Sequence, residues 1–432
     1  MPIEMKLKKY KLGELIEVTR GASLSGEYYA TQGEYIRLTC GNFDYHNNCF
    51  KENKSKDNIY YVGKFRDEFL MEEGDIITPL TEQAVGLLGS TALIPESGKY
   101  IQSQDVAKIT CNEKLLDKKF AFYLISSSLV KQQLSAAAQQ TKIRHTSPDK
   151  IKDCVVWIPE MSEQRLIGTL LSTIDQKISL NRQVNHYLEA MAKQLYDYWF
   201  VQFDFLDANG NPYKSSGGKM VWNEKLKREI PEGWKDVCFK DICNVKRGAS
   251  PRPIDEYMDQ SHNGISWVKI SDATSSESPF LTLVKEHIIP EGGRHSVHVS
   301  PNTLIVSNSA SPGIPKFIEI DACVHDGWLI LTGYKEYYRY YFYYIIHMIR
   351  HNLLHMASGS IFKNLKTDYL KEYVCLNPPQ KVLQDYDKIV HPLMSSLLGK
   401  QLEIEELTKE RDRLLALFMT GQVSVKQLNN DL

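Results

Sequence analysis

The stretch EQRLIGTLLSTIDQKISLNRQVNHYLEAMAKQLYDYWF, residues 163–200, decides the architecture of this chain. Within it Ile167, Leu171, Ile174, Ile178, Leu188, Leu195 and Trp199 recur at spacings of three and four residues or their multiples. That is the seam of a long helix built to pack along another helix. Gly168 is its single glycine and it contains no proline. At ~1.5 Å per residue the helix runs about 55 to 60 Å, longer than one compact domain needs, so it reads as a spacer whose partner lies elsewhere in the chain.

An internal repeat supplies the partner. Leu12 to Ser23, ending in Arg20-Gly21-Ala22-Ser23, returns as Phe239 to Ser250, with Val, Arg, Gly, Ala and Ser identical in register. Trp267-Val268-Lys269-Ile270 then answers Tyr35-Ile36-Arg37-Leu38, and Asn302-Thr303-Leu304-Ile305 answers Gly74-Asp75-Ile76-Ile77. His325-Asp326 stands against Gln104-Asp105, and a helix over Arg339 to Ala357 answers one over Phe120 to Ala138. From Asp149 and Asp368 onward one gap-free offset pairs Pro159 with Pro378. It also pairs Ile174, Ile178, Asn185, Leu188 and Leu195 with Leu393, Leu397, Ile404, Leu407 and Leu414. A period this long means tandem domains, not a solenoid.

The expected order is therefore a mixed α/β (α+β) globule over 1–159, a helix over 160–203 and a linker over 204–230. A second globule follows over 231–378, then a helix over 379–421 and a tail over 422–432. Asp204 to Gly218, rich in Asn, Gly, Pro and Ser, is a connector by composition. Two seamed helices in one chain most simply pack on each other as an antiparallel coiled coil, which makes the molecule pseudo-twofold.

Composition narrows the function classes. A chain of 432 residues with 42% hydrophobic content supports two or three real cores. Eight cysteines without a CxxC pair read as free thiols in a reducing cytoplasm. No apolar stretch follows a basic start, and no run of ~18 apolar residues occurs, so neither a signal peptide nor a membrane span is expected. A net charge of −1 speaks against a wholesale nucleic-acid coat but is compatible with local basic surfaces.

Two similar heads at a fixed separation suit a target that presents two sites at a fixed separation, as duplex DNA does every ~34 Å of helical turn. The first head offers Arg20, Ser23, Arg37, Gln139, Gln140, Lys142 and Arg144; the second offers Arg247, Arg252, Lys269, Ser360, Lys363, Asn364 and Lys366. Arg, Lys, Gln and Asn make bidentate contacts to base edges, and loop amides with lysines supply the phosphate term. For Arg20 and Arg247 the structural reading is an arginine paired with a carboxylate in the same turn.

The literal residues go further. Glu163-Gln164-Arg165 after a proline, Asp175-Gln176-Lys177-Ile178, Leu180-Asn181-Arg182-Gln183-Val184-Asn185, Leu188-Glu189-Ala190-Met191-Ala192 and Trp199-Phe200-Val201-Gln202-Phe203-Asp204 resemble the central conserved region of specificity subunits of type I restriction-modification systems. So does Ile230-Pro231-Glu232-Gly233-Trp234, which opens the second half.

The resemblance implies two target recognition domains separated by two long conserved helices. It implies a non-catalytic subunit that binds double-stranded DNA, pairs with two adenine-N6 methyltransferase subunits and, in the full enzyme, with two restriction subunits. No cofactor is then expected in this subunit: S-adenosylmethionine belongs to the methyltransferase partner, ATP and Mg to the restriction partner. Ile174, Ile178, Asn181, Asn185, Leu188, Leu195 and Trp199, with Leu393, Leu397, Ile404, Leu407 and Leu414, are the expected coiled-coil and partner-binding positions. For Asn181 and Asn185, a polar seam residue that fixes register is the rival reading.

Three bland readings stand beside sharp ones. Asn377-Pro378-Pro379-Gln380 resembles the strand exit with which adenine methyltransferases hold their target, but Gln380 replaces the aromatic and no Gly-rich cofactor loop follows an early strand. Tyr337 to Tyr344 could stack on bases; beside Ile345, Ile346 and Ile349 at helical spacing it reads as core. Arg294-His295-Ser296-Val297-His298 lacks a third ligand nearby and reads as a solvated loop rather than a metal pair. From other classes, a coiled-coil scaffold for protein partners and a self-contained adenine methyltransferase are the rivals.

Overall fold

The computed structural model describes residues 5–54, 57–82, 86–138, 144–261, 263–357 and 365–428. The chain divides into two compact units, Met1–Leu180 with Ile404–Leu432, and Asn181–Glu403. Each unit is a head together with segments of both long helices, so the helices are not separate bodies. No helix among the described residues is long and apolar enough to cross a membrane.

In the first unit the strand Ile16–Arg20 buries Ile16 and Val18 on alternate positions and pairs antiparallel with Val106–Cys111. Ile76–Pro79 and Ala92–Leu93 complete that four-stranded sheet. A second sheet carries Tyr35–Arg37 between Tyr100–Ile101, to which it runs parallel, and Tyr60–Tyr61. The helix expected over Phe120 to Ala138 is two helices, Lys118–Ser126 and Ser128–Ala138. Ser127 breaks it with extended backbone (φ −65°, ψ 154°), and its hydroxyl donates to the Leu124 carbonyl at 2.6 Å. Serine competes with the helical ladder in this way, and three serines occur in a row here.

The first long helix is Met161–Tyr196 and the second is Gln380–Met419, which passes through Pro392 without ending. Inside the first unit they run antiparallel. Ile167 and Leu171 share one core with Leu414 and Phe418, and the buried Arg411 donates to Asp175 at 2.8 Å. Tyr123 of the head donates to the same carboxylate at 2.6 Å. Gly168 lies where a Cβ would stand 2.8 Å from the Phe120 amide nitrogen, so glycine is what lets the long helix cross the helix Lys118–Ser126 this closely. The expected tail instead contains a short helix, Val425–Leu428, whose Val425 amide donates to Glu163.

The second unit repeats the plan with five strands in the first sheet, ordered Asn244–Arg247, Trp328–Thr332, Thr303–Ser307, Pro315–Ile318 and Phe280–Leu281. Its second sheet sets Ile265–Val268 parallel to Ala322–Val324, with Glu286–Ile288 and Val297–Val299 outside. Asn181 donates to Glu403 at 3.0 Å from within the seam, while Leu188, Leu195 and Leu393 pack around Ala192, Tyr196, Met394 and Leu397. At its end the first long helix widens into a π-type turn, Asp197–Val201. There Phe200, Phe203 and Phe205 surround Trp234 of the Pro-Glu-Gly-Trp opening, with ring centres 6.2, 5.6 and 4.9 Å away. The linker expected over 204–230 carries a hairpin, Met220–Asn223 with Arg228–Pro231.

Each head is closed by its own ends. Lys8–Lys11 pairs antiparallel with Val155–Ile158, and Lys235–Cys238 pairs in the same manner with Val374–Asn377.

Candidate nucleic-acid interface

The two heads build the same turn at the end of their first sheet strand. In the first, Arg20 ends the strand and its Nε donates to the Gln104 carbonyl at 2.7 Å; in the second, Arg247 Nε donates to the Asp326 carbonyl at 2.7 Å. The next residue is glycine for a steric reason. A Cβ on Gly21 would collide with the Gln102 carbonyl oxygen, and one on Gly248 with that of His325. The equivalence of Gln104 with Asp326 moves the sequence register by one residue: Ser103, not Gln104, stands where His325 stands.

The register moves by two in the second sheet. The amides of Thr39 and Lys269 each donate to a side-chain oxygen three residues on, that of Asn42 at 2.9 Å and that of Asp272 at 2.8 Å. Lys269 therefore answers Thr39, and Trp267 answers Arg37. The sequence pairing of Trp267 with Tyr35 was off by two because the loops that precede these strands differ between the heads and leave the register unanchored. By contrast Gly74 and Asn302, matched in sequence, share left-handed φ values of 76° and 69° before their strands.

Behind each Arg-Gly-Ala-Ser turn lies a cleft. The first, of about 410 Å³, is lined by Arg20, Ser23 and Leu24 and by Tyr61, Lys64, Phe65, Arg66 and Phe69. The second, of about 440 Å³, is lined by Ser250, Pro251, Arg252 and Ile254, by Trp267, Lys269, Ile270 and Ser271, and by Ser309, Ala310 and His325. Aromatic walls with cations at the rim are chemistry suited to bases and phosphates. Lys64, Arg66, Trp267 and His325 were missed as site residues. The alternating Lys64-Phe65-Arg66 was the available signal in the first head, and His325 had served only as a marker of the repeat.

The electrostatics of the two turns differ. In the second head the Asp326 carboxylate accepts from Ser250 Oγ at 2.8 Å and lies 3.6 Å from Arg247 and 3.5 Å from Arg252. Burial pushes this carboxyl up, but the Ser250 hydroxyl and the Arg247 charge outweigh burial and leave it below the ordinary carboxylate range. In the first head an uncharged Gln104 takes that place, and no carboxylate pairs with Arg20 among the described residues. Lys269 reaches Glu286 at 2.6 Å.

The remaining expected contacts fall in several places. Arg37 is buried at 7% exposure, with its guanidinium stacked 3.8 Å from the Tyr29 ring centre and donating to the Asn58 carbonyl, so it braces the second sheet. Arg144 belongs to the strand Arg144–His145, paired with Thr81–Glu82. Lys366 precedes the helix Thr367–Lys371 with its Nζ 5.8 Å from the Tyr369 ring. Gln139, Gln140, Lys142, Ser360, Lys363 and Asn364 lie outside the described residues.

The helix positions have internal roles. Gln164 accepts from the Asp117 amide and donates to the Leu115 and Pro159 carbonyls. Ile178 and Trp199 are buried, Ile174 packs on the first core, Ile404 and Leu407 are half-buried, and the buried Asn185 side-chain oxygen has no partner among the described residues. Much of the motif that carries the family resemblance, Glu163, Gln164, Asp175 and Asn181 included, is thus consumed in holding helix to head and helix to helix. Arg165, Gln176, Lys177, Arg182, Gln183 and Met191 are among the residues it leaves exposed.

Two rival sites read as structure. Asn377 accepts from Tyr338 Oη at 2.7 Å, and the preceding Leu376 carbonyl from Tyr341 Oη at 2.5 Å. Tyr340, Tyr341, Tyr343 and Tyr344 are core residues, each no more than 5% exposed.

Comparison with known proteins agrees with this plan. A family model described as "Type I restriction modification DNA specificity domain" matches residues 4–190. The type I restriction enzyme MjaIX specificity subunit of Methanocaldococcus jannaschii is 22% identical over 316 residues, 72% of this chain and 70% of that protein. The HindI specificity subunit of Haemophilus influenzae is 20% identical over 382 residues, 75% of this chain and 81% of that protein. In fold, the crystal structure of a type I restriction-modification S subunit from M. genitalium matches with a TM-score of 0.60 at 17% identity, over 97% of each chain. With its twice-built turn and its paired long helices, this chain is similar in sequence and in fold to the specificity subunits of type I restriction-modification systems.

Proposed function

We propose that this chain reads a bipartite, asymmetric sequence in double-stranded DNA, one half-site per head. In this reading it directs adenine-N6 methylation by two methyltransferase subunits and, with two restriction subunits, ATP-dependent cleavage, all in the cytoplasm. S-adenosylmethionine is bound by the methyltransferase partner, and ATP and Mg by the restriction partner. The observation that carries the proposal is the repeated Arg-Gly-Ala-Ser turn with a cleft behind it: the backbone frame is the same in both heads, while the cleft linings differ almost residue by residue. A shared frame positions a head on the sugar-phosphate backbone, and a private lining selects bases. The arginines and lysines of the rims supply the phosphate term.

Exchange of residues 1–159 for the corresponding head of another specificity subunit tests this directly. The expected outcome, read by mapping modified adenines in DNA from cells that carry the hybrid with its methyltransferase, is a change in one half of the target and none in the other. Change in both halves would refute independent heads.

A further inference from the structure

The cleft of the second head contains a histidine whose chemistry is fixed by its surroundings. His325 lines the cleft, and its Nδ1 accepts the Gly327 amide at 2.8 Å. With Nδ1 occupied as an acceptor, the single proton of the neutral ring sits on Nε2. A Cβ on Gly327 would collide with the ring, so the glycine is what allows its own amide to reach Nδ1. Trp267 and Trp328 flank the imidazole, with ring centres 6.0 and 6.4 Å away. Both tryptophans are buried to 2% exposure or less, which holds the ring in orientation. Burial lowers the affinity of His325 for a second proton, with the Lys269 and Arg247 charges acting in the same direction and Asp326 against them. No described residue accepts a hydrogen bond from Nε2. The cleft wall also includes Ala310 at φ 57°, a left-handed backbone that a non-glycine residue adopts at a cost and that gathers at functional sites.

We propose that His325 is a specificity-determining residue of the second head, its Nε2–H donating to an acceptor on the edge of one base in the second half-site. The proposal rests on the reading that this head binds duplex DNA. In the major groove guanine offers N7 and O6, adenine N7 and thymine O4, whereas cytosine presents only its N4 donor. A fixed donor with no second tautomer available therefore discriminates against cytosine on the contacted strand. The first head has Ser103 at this register position and no histidine in its cleft lining, so that cleft asks a different question of its half-site.

Selection of bound duplexes from a random library, with the full chain assembled with its methyltransferase partners, tests the assignment. For the unsubstituted protein the expected consensus has one position in the second half-site from which cytosine is excluded. His325→Ser, which installs the residue of the first head, admits cytosine there with a rise in relative affinity of about tenfold. His325→Gln, which retains an N–H donor, keeps the exclusion. Both variants leave the first half-site unchanged, which is the internal control for folding. A His325→Ser consensus identical to that of the unsubstituted protein would overturn the assignment, as would a loss spread evenly over both half-sites. No consensus from the unsubstituted protein would overturn the DNA-reading role itself.

Discussion

Arg20 and Arg247 make the same 2.7 Å bond to a backbone carbonyl, yet Arg20 pairs with no carboxylate among the described residues, whereas Arg247 shares one with Ser250 and Arg252. The bond through Nε orients the guanidinium and leaves its terminal nitrogens for other partners. Around Arg20 these face a cleft already holding Lys64 and Arg66. Arg20→Ala is therefore expected to weaken binding to all duplexes alike and to reduce the slope of log affinity against log salt by about 1. Arg247→Ala, whose charge Asp326 partly balances, is expected to move that slope less. Titrations at several salt concentrations check both, and equal changes would contradict the difference drawn between the two turns. At this scale the sequence was informative where local geometry leaves few choices. Gly21 and Gly248 were legible because no side chain fits there, whereas Arg37, a cation on a strand, gave no sign that Tyr29 would cover it.

Among the elements, the first long helix was the most legible because a seam repeats over many turns and each turn restates it. Its crossing with the head was not, since nothing in the spacing of apolar residues reveals that Gly168 faces the first turn of another helix. That contact gives a prediction opposite in sign to helix propensity. Alanine is favoured over glycine in a helix by about 1 kcal/mol. Here its Cβ would press on the Phe120 amide, which Asp117 caps at 3.0 Å, and on Lys119. Overpacking of this kind costs about 1 to 3 kcal/mol, so Gly168→Ala is expected to destabilise the protein by about 1 kcal/mol, measured by chemical denaturation; a stabilised variant would show that the crossing relaxes freely. The break at Ser127 and the one- and two-residue register shifts escaped notice for a related reason. A comparison of sequence with sequence follows the chain, whereas these features follow hydrogen bonds.

For the molecule as a whole, the pairings Asp175 with Arg411 and Asn181 with Glu403 fix the antiparallel register of the long helices within each unit. If these helices set the spacing between half-sites, a change of length must be made in both. Seven residues added between Asp175 and Asn181 and seven between Glu403 and Arg411 add about 10 Å, close to two helical turns, and preserve both pairings. The expected result is a target whose unspecified gap is longer by about 3 base pairs, read from the modified sites; an unchanged gap would refute the ruler. The plan of two heads and two helices was visible in the repeat itself, while the division of each helix between two compact units was not, because contact density is a property of the fold and not of the spacing. The strand pair that closes each head has a consequence for heredity. Lys8–Lys11 lies against Val155–Ile158, and Lys235–Cys238 against Val374–Asn377, through backbone bonds that tolerate most side chains. The coding segment of a head is thus a cassette with both joints in one place, and exchange of one cassette for another leaves the rest of the reading frame as it is.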